Sequence, residues 1–170
     1  PNNFAQSRMV TIAGMKLKDI NTLQEHAIAG LPENMRATSL QWNPSQTKIA
    51  FANLLSSRVD LYVVDIATFT ATKINQLPLN IVSGGTFAWI TDNSLLYKAT
   101  VATAVKPEKP LAPTGPVVQE SLGKKAAART YQDLIKSGYD EALFDYYAKS
   151  QMVFTDFATE TRVGEPAIIK

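Results

Sequence analysis

The amino-acid sequence predicts a mainly β protein with two blade-like units of about four antiparallel strands each. A repeat indicates this: Asp65-Ile66-Ala67-Thr68-Phe69-Thr70 returns as Asp156-Phe157-Ala158-Thr159-Glu160-Thr161. Upstream of each copy, segments 39–44 and 86–91 match each other around Trp42 and Trp89. The tryptophans are 47 positions apart and the aspartates 91, so the second unit carries an insertion of about 44 residues.

Composition and charge exclude several classes of protein. The 170 residues correspond to roughly one domain. With 17 Lys and Arg against 15 Asp and Glu, the formal charge is only +2 and no segment concentrates it, so we expect no nucleic-acid partner. The absence of cysteine excludes disulfides, zinc–thiolate sites and a cysteine nucleophile. No apolar run approaches the ~18 residues of a membrane span.

The ends of the chain predict that it is a piece of a longer polypeptide. It starts with Pro-Asn-Asn-Phe rather than Met, without the basic and apolar regions of a signal peptide. Residues 167–170 have the pattern of a strand that stops in mid-course. We therefore expect that a signal peptide has been removed and that the sequence continues elsewhere.

Three segments follow from the strand and turn patterns. Residues 1–35 predict an N-terminal β pair, with runs at 9–18 and 23–29. Residues 36–80 form the first blade-like unit, in which 59–66 is apolar on both faces, as expected for a strand covered on each side. Residues 81–170 form the second, with strands near 86–90, 95–101 and 151–157 and the insertion at about 102–150.

The insertion has two parts. Pro107, Pro110, Pro113 and Pro116 have the three-residue period of a polyproline II helix, which fits a stiff spacer or, alternatively, a docked recognition motif. Residues 124–136 then predict a helix that stops at Ser137-Gly138. A second short helix, with Asp140 as its cap, completes a helical hairpin.

Searches for catalytic chemistry find no complete motif. His26 is the single histidine, and alone it cannot make the usual zinc site. No Ser or Asp shows the context of a triad, so an ordinary surface position is favoured over a catalytic base. Neither Ser83 nor Ser121 lies in a Gly-x-Ser-x-Gly elbow.

Binding motifs are equally incomplete. Gly84-Gly85 lacks the context of a phosphate loop, and the acidic residues at 140, 141 and 145 lack the pattern of a calcium loop. The aromatic residues at 131, 139, 144, 146 and 147 have helical spacing, which favours core packing, with an interface as the alternative. Asp65 and Asp156 precede turns whose backbone amides they can bind. We therefore predict no catalytic, cofactor-binding or metal-binding residue in this chain.

Two stretches resemble a known family. Trp42-Asn43-Pro44-Ser45 with 47–51 and 61–65 resembles the blade signature in the propellers of prolyl oligopeptidase-type serine peptidases and of TolB-like proteins. Within the insertion, the stretches 109–116, 129–134 and 139–151 are similar to the glutamyl endopeptidase branch, known from chloroplasts and from bacterial exported relatives. The resemblance runs from about Gly14 to the end, and it implies that the two units are a partial β-propeller with a helical-hairpin insertion.

The resemblance implies a function for the longer polypeptide. In that family the propeller caps a C-terminal α/β-hydrolase domain that contains the Ser, Asp and His of the triad. No position here matches that motif, so we expect this chain not to cleave peptides alone, but to gate the access of peptide substrates to such a domain. It also implies a periplasmic or exported location in a bacterium.

Other hypotheses remain open. A TolB-like or WD-type propeller module that binds a partner protein is the main alternative, and an enzyme centred on His26 is a third. Because complete propellers have ~4–8 blades, two blades alone would expose edges and apolar faces. We therefore also predict that the chain self-associates.

Overall fold

The computed structural model describes residues 4–6, 8–111 and 135–169. The strands are β1 (Lys16–Lys18), β2 (Glu25–Ala27), β3 (Ala37–Trp42), β4 (Lys48–Leu54), β5 (Val59–Asp65), β6 (Thr70–Lys73), β7 (Phe87–Thr91), β8 (Ser94–Ala99), β9 (Lys149–Thr155) and β10 (Glu160–Ile168). A helix, α1, spans Gly138–Ala148. The chain divides into two compact units, 1–103 with 147–170 and 104–146. All of these strands belong to the first unit.

Two four-stranded antiparallel sheets dominate the first unit. Sheet 1 has the order β3-β4-β5-β6, and sheet 2 has the order β7-β8-β9-β10. In sheet 2, β8 ends at Ala99 and β9 begins only at Lys149. This confirms the predicted mainly β class with two blade-like antiparallel sheets. The boundaries at 35 and 80 stay predictions.

The main core lies between the sheets. One side of sheet 1, here called its front face, buries aliphatic residues of β4 and β5 such as Ala52, Leu61 and Val63. These residues share a cluster with Leu95 and Tyr97, which lie on the opposite, rear face of sheet 2. Because β5 is covered on both sides, its apolar residues occupy both alternating faces.

The rear face of sheet 1 is covered by the N-terminal segment. Phe51 on this face packs in a second cluster with Ile28, and the partly buried side chains of Met15 and Leu17 pack against this cluster. Gly30 has a positive φ of 74° and passes so close to the backbone of Ala71 that a Cβ atom would collide with its carbonyl oxygen. A glycine is required at this crossing.

The N-terminal β pair is much shorter than the sequence pattern predicts. β1 and β2 contain three residues each and pair Leu17 with His26. The outer parts of both predicted runs bind sheet 1 instead: Ile12 pairs with Ala37, and Ala29 forms a bridge with Thr70. Backbone groups beyond β1 and β2 therefore use partners in sheet 1.

Helix α1 begins two residues before the predicted cap. The Ser137 hydroxyl accepts a hydrogen bond from the Asp140 backbone N–H at 3.3 Å, and that hydroxyl donates to the Asp140 carboxylate at 2.8 Å. Ser137 is thus the N-cap, and the Asp140 carboxylate accepts hydrogen bonds from the Ser137 hydroxyl and from the Lys136 backbone N–H. The prediction that Asp140 itself is the cap was wrong. Most of the first predicted helix, residues 124–134, lies outside the described residues, as do Pro113 and Pro116.

In the described part of the chain, no helix has both the length and the apolar character needed to span a bilayer.

Candidate functional site

The structure gives local structural roles to two residues considered in the sequence, His26 and Asp65. The His26 ring stacks on Phe69 with the centroids 4.1 Å apart and the planes 4° from parallel. Asp65 accepts hydrogen bonds from the N–H groups of Ala67 and Thr68, at 2.9 and 3.1 Å. These contacts hold a strand end and a turn in place, and they provide no arrangement for proton transfer.

Asp156 repeats this turn and adds one bond. Its carboxylate accepts from the N–H groups of Ala158 and Thr159, at 3.1 and 2.7 Å, and from the Thr159 hydroxyl at 3.0 Å. The backbone N–H of Thr159 is the main cause that holds the pKa of Asp156 below its usual value. The recurrent aspartate is therefore a turn-stabilising residue in both sheets.

The remaining candidates do not form a site in the described residues. Within residues 4–6, 8–111 and 135–169, no group of three or more His, Asp or Glu side chains is placed to hold a metal ion. Of the predicted aromatic cluster, Tyr131 lies outside that part of the chain, Phe144 is half-exposed, and Tyr139, Tyr146 and Tyr147 are partly buried. Ser121 also lies outside it. Ser83 donates a hydrogen bond to the Ile169 carbonyl oxygen at 3.2 Å.

Polar contacts instead concentrate where the first strands of the two sheets meet. The hydroxyls of Ser39 in β3 and Thr86 just before β7 are 3.0 Å apart. The Gln41 amide donates to the Phe87 carbonyl at 3.3 Å, and the Trp89 indole N–H donates to the Gln41 carbonyl at 3.3 Å. These three bonds place β3 and β7 side by side, with β3 and β7 each at an edge of its sheet.

Asp92 joins the same edge at the β7–β8 turn. Its carboxylate accepts from the Ser45 backbone N–H at 2.8 Å and from the Asn43 amide at 3.1 Å. The Ser45 N–H is the main cause that holds the pKa of Asp92 below its usual value. Lys48 adds a bond to Asn93 at 3.0 Å. The Trp-Asn-Pro-Ser segment of sheet 1 is thereby bound to the turn of sheet 2.

Glu160 links the opposite edges of the sheets. It starts β10, and its carboxylate accepts from the backbone N–H groups of Gln76 and Leu77, at 2.6 and 3.3 Å, just beyond β6. It also accepts from the Tyr97 hydroxyl at 2.7 Å. Burial, followed by the bond to Glu160, raises the pKa of Tyr97 far above its usual value. Tyr97 therefore remains a hydrogen-bond donor at neutral pH.

The first strands also expose large apolar side chains. Trp42 and Ile90 are 52% and 53% exposed, and Leu40 is 38% exposed. Trp42 and Leu40 lie on β3, and Ile90 lies on β7, the two strands joined by the bonds described above. Large apolar side chains are therefore exposed on both of these adjoining edge strands.

A second unusual surface is the front face of sheet 2, which points away from sheet 1. The strand register places Ala88, Leu96 and Phe154 in one cross-strand row, and Lys98, Met152 and Val163 in the next. A cavity of about 140 Å³ lies on this face and is lined mainly by apolar atoms. Lys98 is only 4% exposed, and it donates to the carbonyl oxygens of Ser83 and Ile169.

Sequence reasoning missed Asp92, Glu160 and Lys98. The bonds of Asp92 and Glu160 join segments 47 and 84 positions apart in the sequence. A signal did exist for Lys98, because a lysine interrupts the apolar strand 95–101 at a position whose cross-strand partner, Met152, is apolar.

The comparisons with known proteins give two similar sequences. The chain is 31% identical over 179 residues to a protein of Oryza sativa subsp. japonica named "Probable glutamyl endopeptidase, chloroplastic", which covers 96% of this chain and 19% of the relative. An Arabidopsis thaliana protein with the same name is 34% identical, over 96% of this chain and 18% of the relative. No protein-family model matches the chain, and no solved structure matches it.

These findings support part of the resemblance and correct another part. The chain spans about one fifth of the length of the curated relatives it matches. The prediction of a periplasmic or exported location in a bacterium was wrong, because both relatives are plant proteins whose names say chloroplastic. Over nearly all of its length, the chain is similar to one part of plant proteins named probable glutamyl endopeptidase.

Proposed function

We propose that this chain is the non-catalytic, N-terminal propeller part of a serine peptidase of glutamyl endopeptidase type in the prolyl oligopeptidase family. The observation that supports this most strongly is the sequence similarity to proteins named glutamyl endopeptidase over 96% of the chain. The two four-stranded antiparallel sheets, with strands in sequential order, fit adjacent blades of a propeller.

In this proposal the chain controls which peptides reach the active site and performs no catalysis itself. The catalytic Ser, Asp and His belong to an α/β-hydrolase domain in another part of the longer polypeptide, here called the parent polypeptide. The first strands β3 and β7 line the passage to that domain, and a passage of fixed width admits short or unfolded peptides. The exposed side chains of Leu40, Trp42 and Ile90 provide apolar contacts along this passage.

The first experiment compares hydrolysis by this chain and by the parent polypeptide on fluorogenic peptides with Glu before the scissile bond. We expect cleavage that a serine-directed inhibitor blocks, by the parent polypeptide alone. Cleavage by the chain itself would contradict its non-catalytic role. If neither protein cleaved the peptides, this would contradict the peptidase assignment and favour a propeller module that binds a partner protein.

A second experiment tests gating. In the parent polypeptide, Trp42→Ala removes a large side chain from β3, so we expect the rate on a 40-residue peptide to rise relative to the rate on a 10-residue peptide. Ile20→Ala is the matched control, because Ile20 is 85% exposed in the turn between β1 and β2. An unchanged ratio of the two rates for Trp42→Ala would contradict the role of β3 in the passage.

A further inference from the structure

Corresponding positions on the front faces of the two sheets hold apolar residues, but these residues are buried in sheet 1 and only partly buried in sheet 2. The spacing of 91 residues that relates Asp65 to Asp156 also relates Leu61 to Met152 and Val63 to Phe154. Leu61 and Val63 are buried against sheet 2. Met152 and Phe154 are only partly buried, although they occupy the matching places in β9. Apolar residues at such positions are typical of a sheet face that another layer covers.

Lys98 is the exception on this face. Ala52 pairs with Leu61 in sheet 1, and Lys98 pairs with Met152 in sheet 2, so a lysine stands where sheet 1 has an alanine. In the described residues, the ion pairs involve other side chains, and no Asp or Glu pairs with Lys98. Burial also lowers the pKa of Lys98. A buried ammonium group without an opposite charge is unfavourable, and a carboxylate within hydrogen-bonding distance would relieve this.

We propose that the front face of sheet 2 docks a further β-sheet of the parent polypeptide, and that this sheet places an Asp or Glu carboxylate against Lys98. The matched relatives have about four fifths of their length outside the aligned part, so a polypeptide of this kind is long enough to supply the sheet. The packing of sheet 1 on sheet 2 provides the template, because there the front face of one sheet meets the rear face of the next.

Charge favours this occupant over a second copy of the chain. Self-association through the front face would follow twofold symmetry, which brings the same surface of each copy together. Two Lys98 ammonium groups would then enter one apolar interface, where like charges repel most strongly. The docked sheet rests on the parent polypeptide of the proposed function, but it does not depend on peptidase activity.

The test places the photoreactive residue p-benzoylphenylalanine at Phe154 in the parent polypeptide. Val163, in the neighbouring row, is the second position if the first variant fails to fold. After irradiation and peptide mapping, we expect intramolecular cross-links to a single strand-forming segment outside residues 1–170 that contains Asp or Glu. Lys98→Glu should then reduce the cross-link yield at least about 10-fold, which corresponds to about 1.4 kcal/mol.

Two further variants complete the test. Changing the mapped acidic residue to Lys in the Lys98→Glu background should restore the yield, since it re-forms the pair with reversed charges. Lys16→Glu, at an exposed lysine of β1, should leave the yield unchanged. The inference would be overturned if the cross-links formed to a second copy or to a segment without an acidic residue. It would also be overturned if Lys98→Glu did not reduce the cross-link yield. An inactive parent polypeptide with intact cross-links would overturn only the peptidase assignment.

Discussion

Sheet 1 and sheet 2 have the same strand order and the same aspartate turn, but they differ in what covers them. Sheet 1 is enclosed, with the N-terminal segment on its rear face and sheet 2 on its front face. Sheet 2 packs on one side only, and its front face retains partly exposed apolar residues and a buried lysine. Similar local sequence thus forms similar strands, whereas burial depends on the neighbours that each sheet receives.

The largest expected effect comes from truncating matched residues on the two front faces. Leu61→Ala should lower the free energy of unfolding by about 2–5 kcal/mol, because Leu61 is fully buried between the sheets. Met152→Ala should cost less than about half as much, because its side chain already contacts solvent. Urea unfolding followed by tryptophan fluorescence measures both. Equal losses would show that the front face of sheet 2 is covered in the isolated chain.

The next effect concerns the bond between the outer edges of the sheets. Glu160→Ala should lower the free energy of unfolding by about 1–3 kcal/mol, because the Tyr97 hydroxyl and the N–H groups of Gln76 and Leu77 lose their shared acceptor. Tyr97→Phe removes one of those bonds and should cost less. Glu165→Ala, at an exposed position of the same strand, is the control. A loss for Glu160→Ala no larger than that of the control would refute the role of Glu160.

The smallest effect concerns Asp92 and appears in the dependence of stability on pH. The pKa of Asp92 is lowered in the folded protein. The contribution of the Asp92 carboxylate to the free energy of unfolding is therefore complete at pH values above its ordinary pKa of 3.8, and it is lost as the pH falls through the lower pKa of the folded state. Asp92→Asn should therefore be less stable than the natural protein at pH 7, and the difference should shrink below about pH 4. Unfolding midpoints of both proteins between pH 2 and 7 test this, and a constant difference would contradict it.

Sequence pattern predicted the strands well where local signals agreed. The run 59–66, which is apolar on both faces, forms β5, and the aspartate turns recur in both sheets with the expected hydrogen bonds to backbone amides. Prediction failed where distant partners compete for the same backbone. Ile12 and Ala29 pair with residues of sheet 1 instead of extending the N-terminal pair. The cap of α1 is a local exception, because Ser137, three residues before Asp140, is the N-cap.

The sequence by itself determined the mainly β character, the two aspartate turns and the similarity to proteins named probable glutamyl endopeptidase, because these depend on neighbouring residues and on direct comparison of sequences. Only the tertiary structure decided that Glu160 binds the amides after β6, that Asp92 binds the turn of the other sheet, and that Lys98 lies buried on an open face. Those features depend on contacts between residues tens of positions apart, and no local pattern specifies which distant groups will meet.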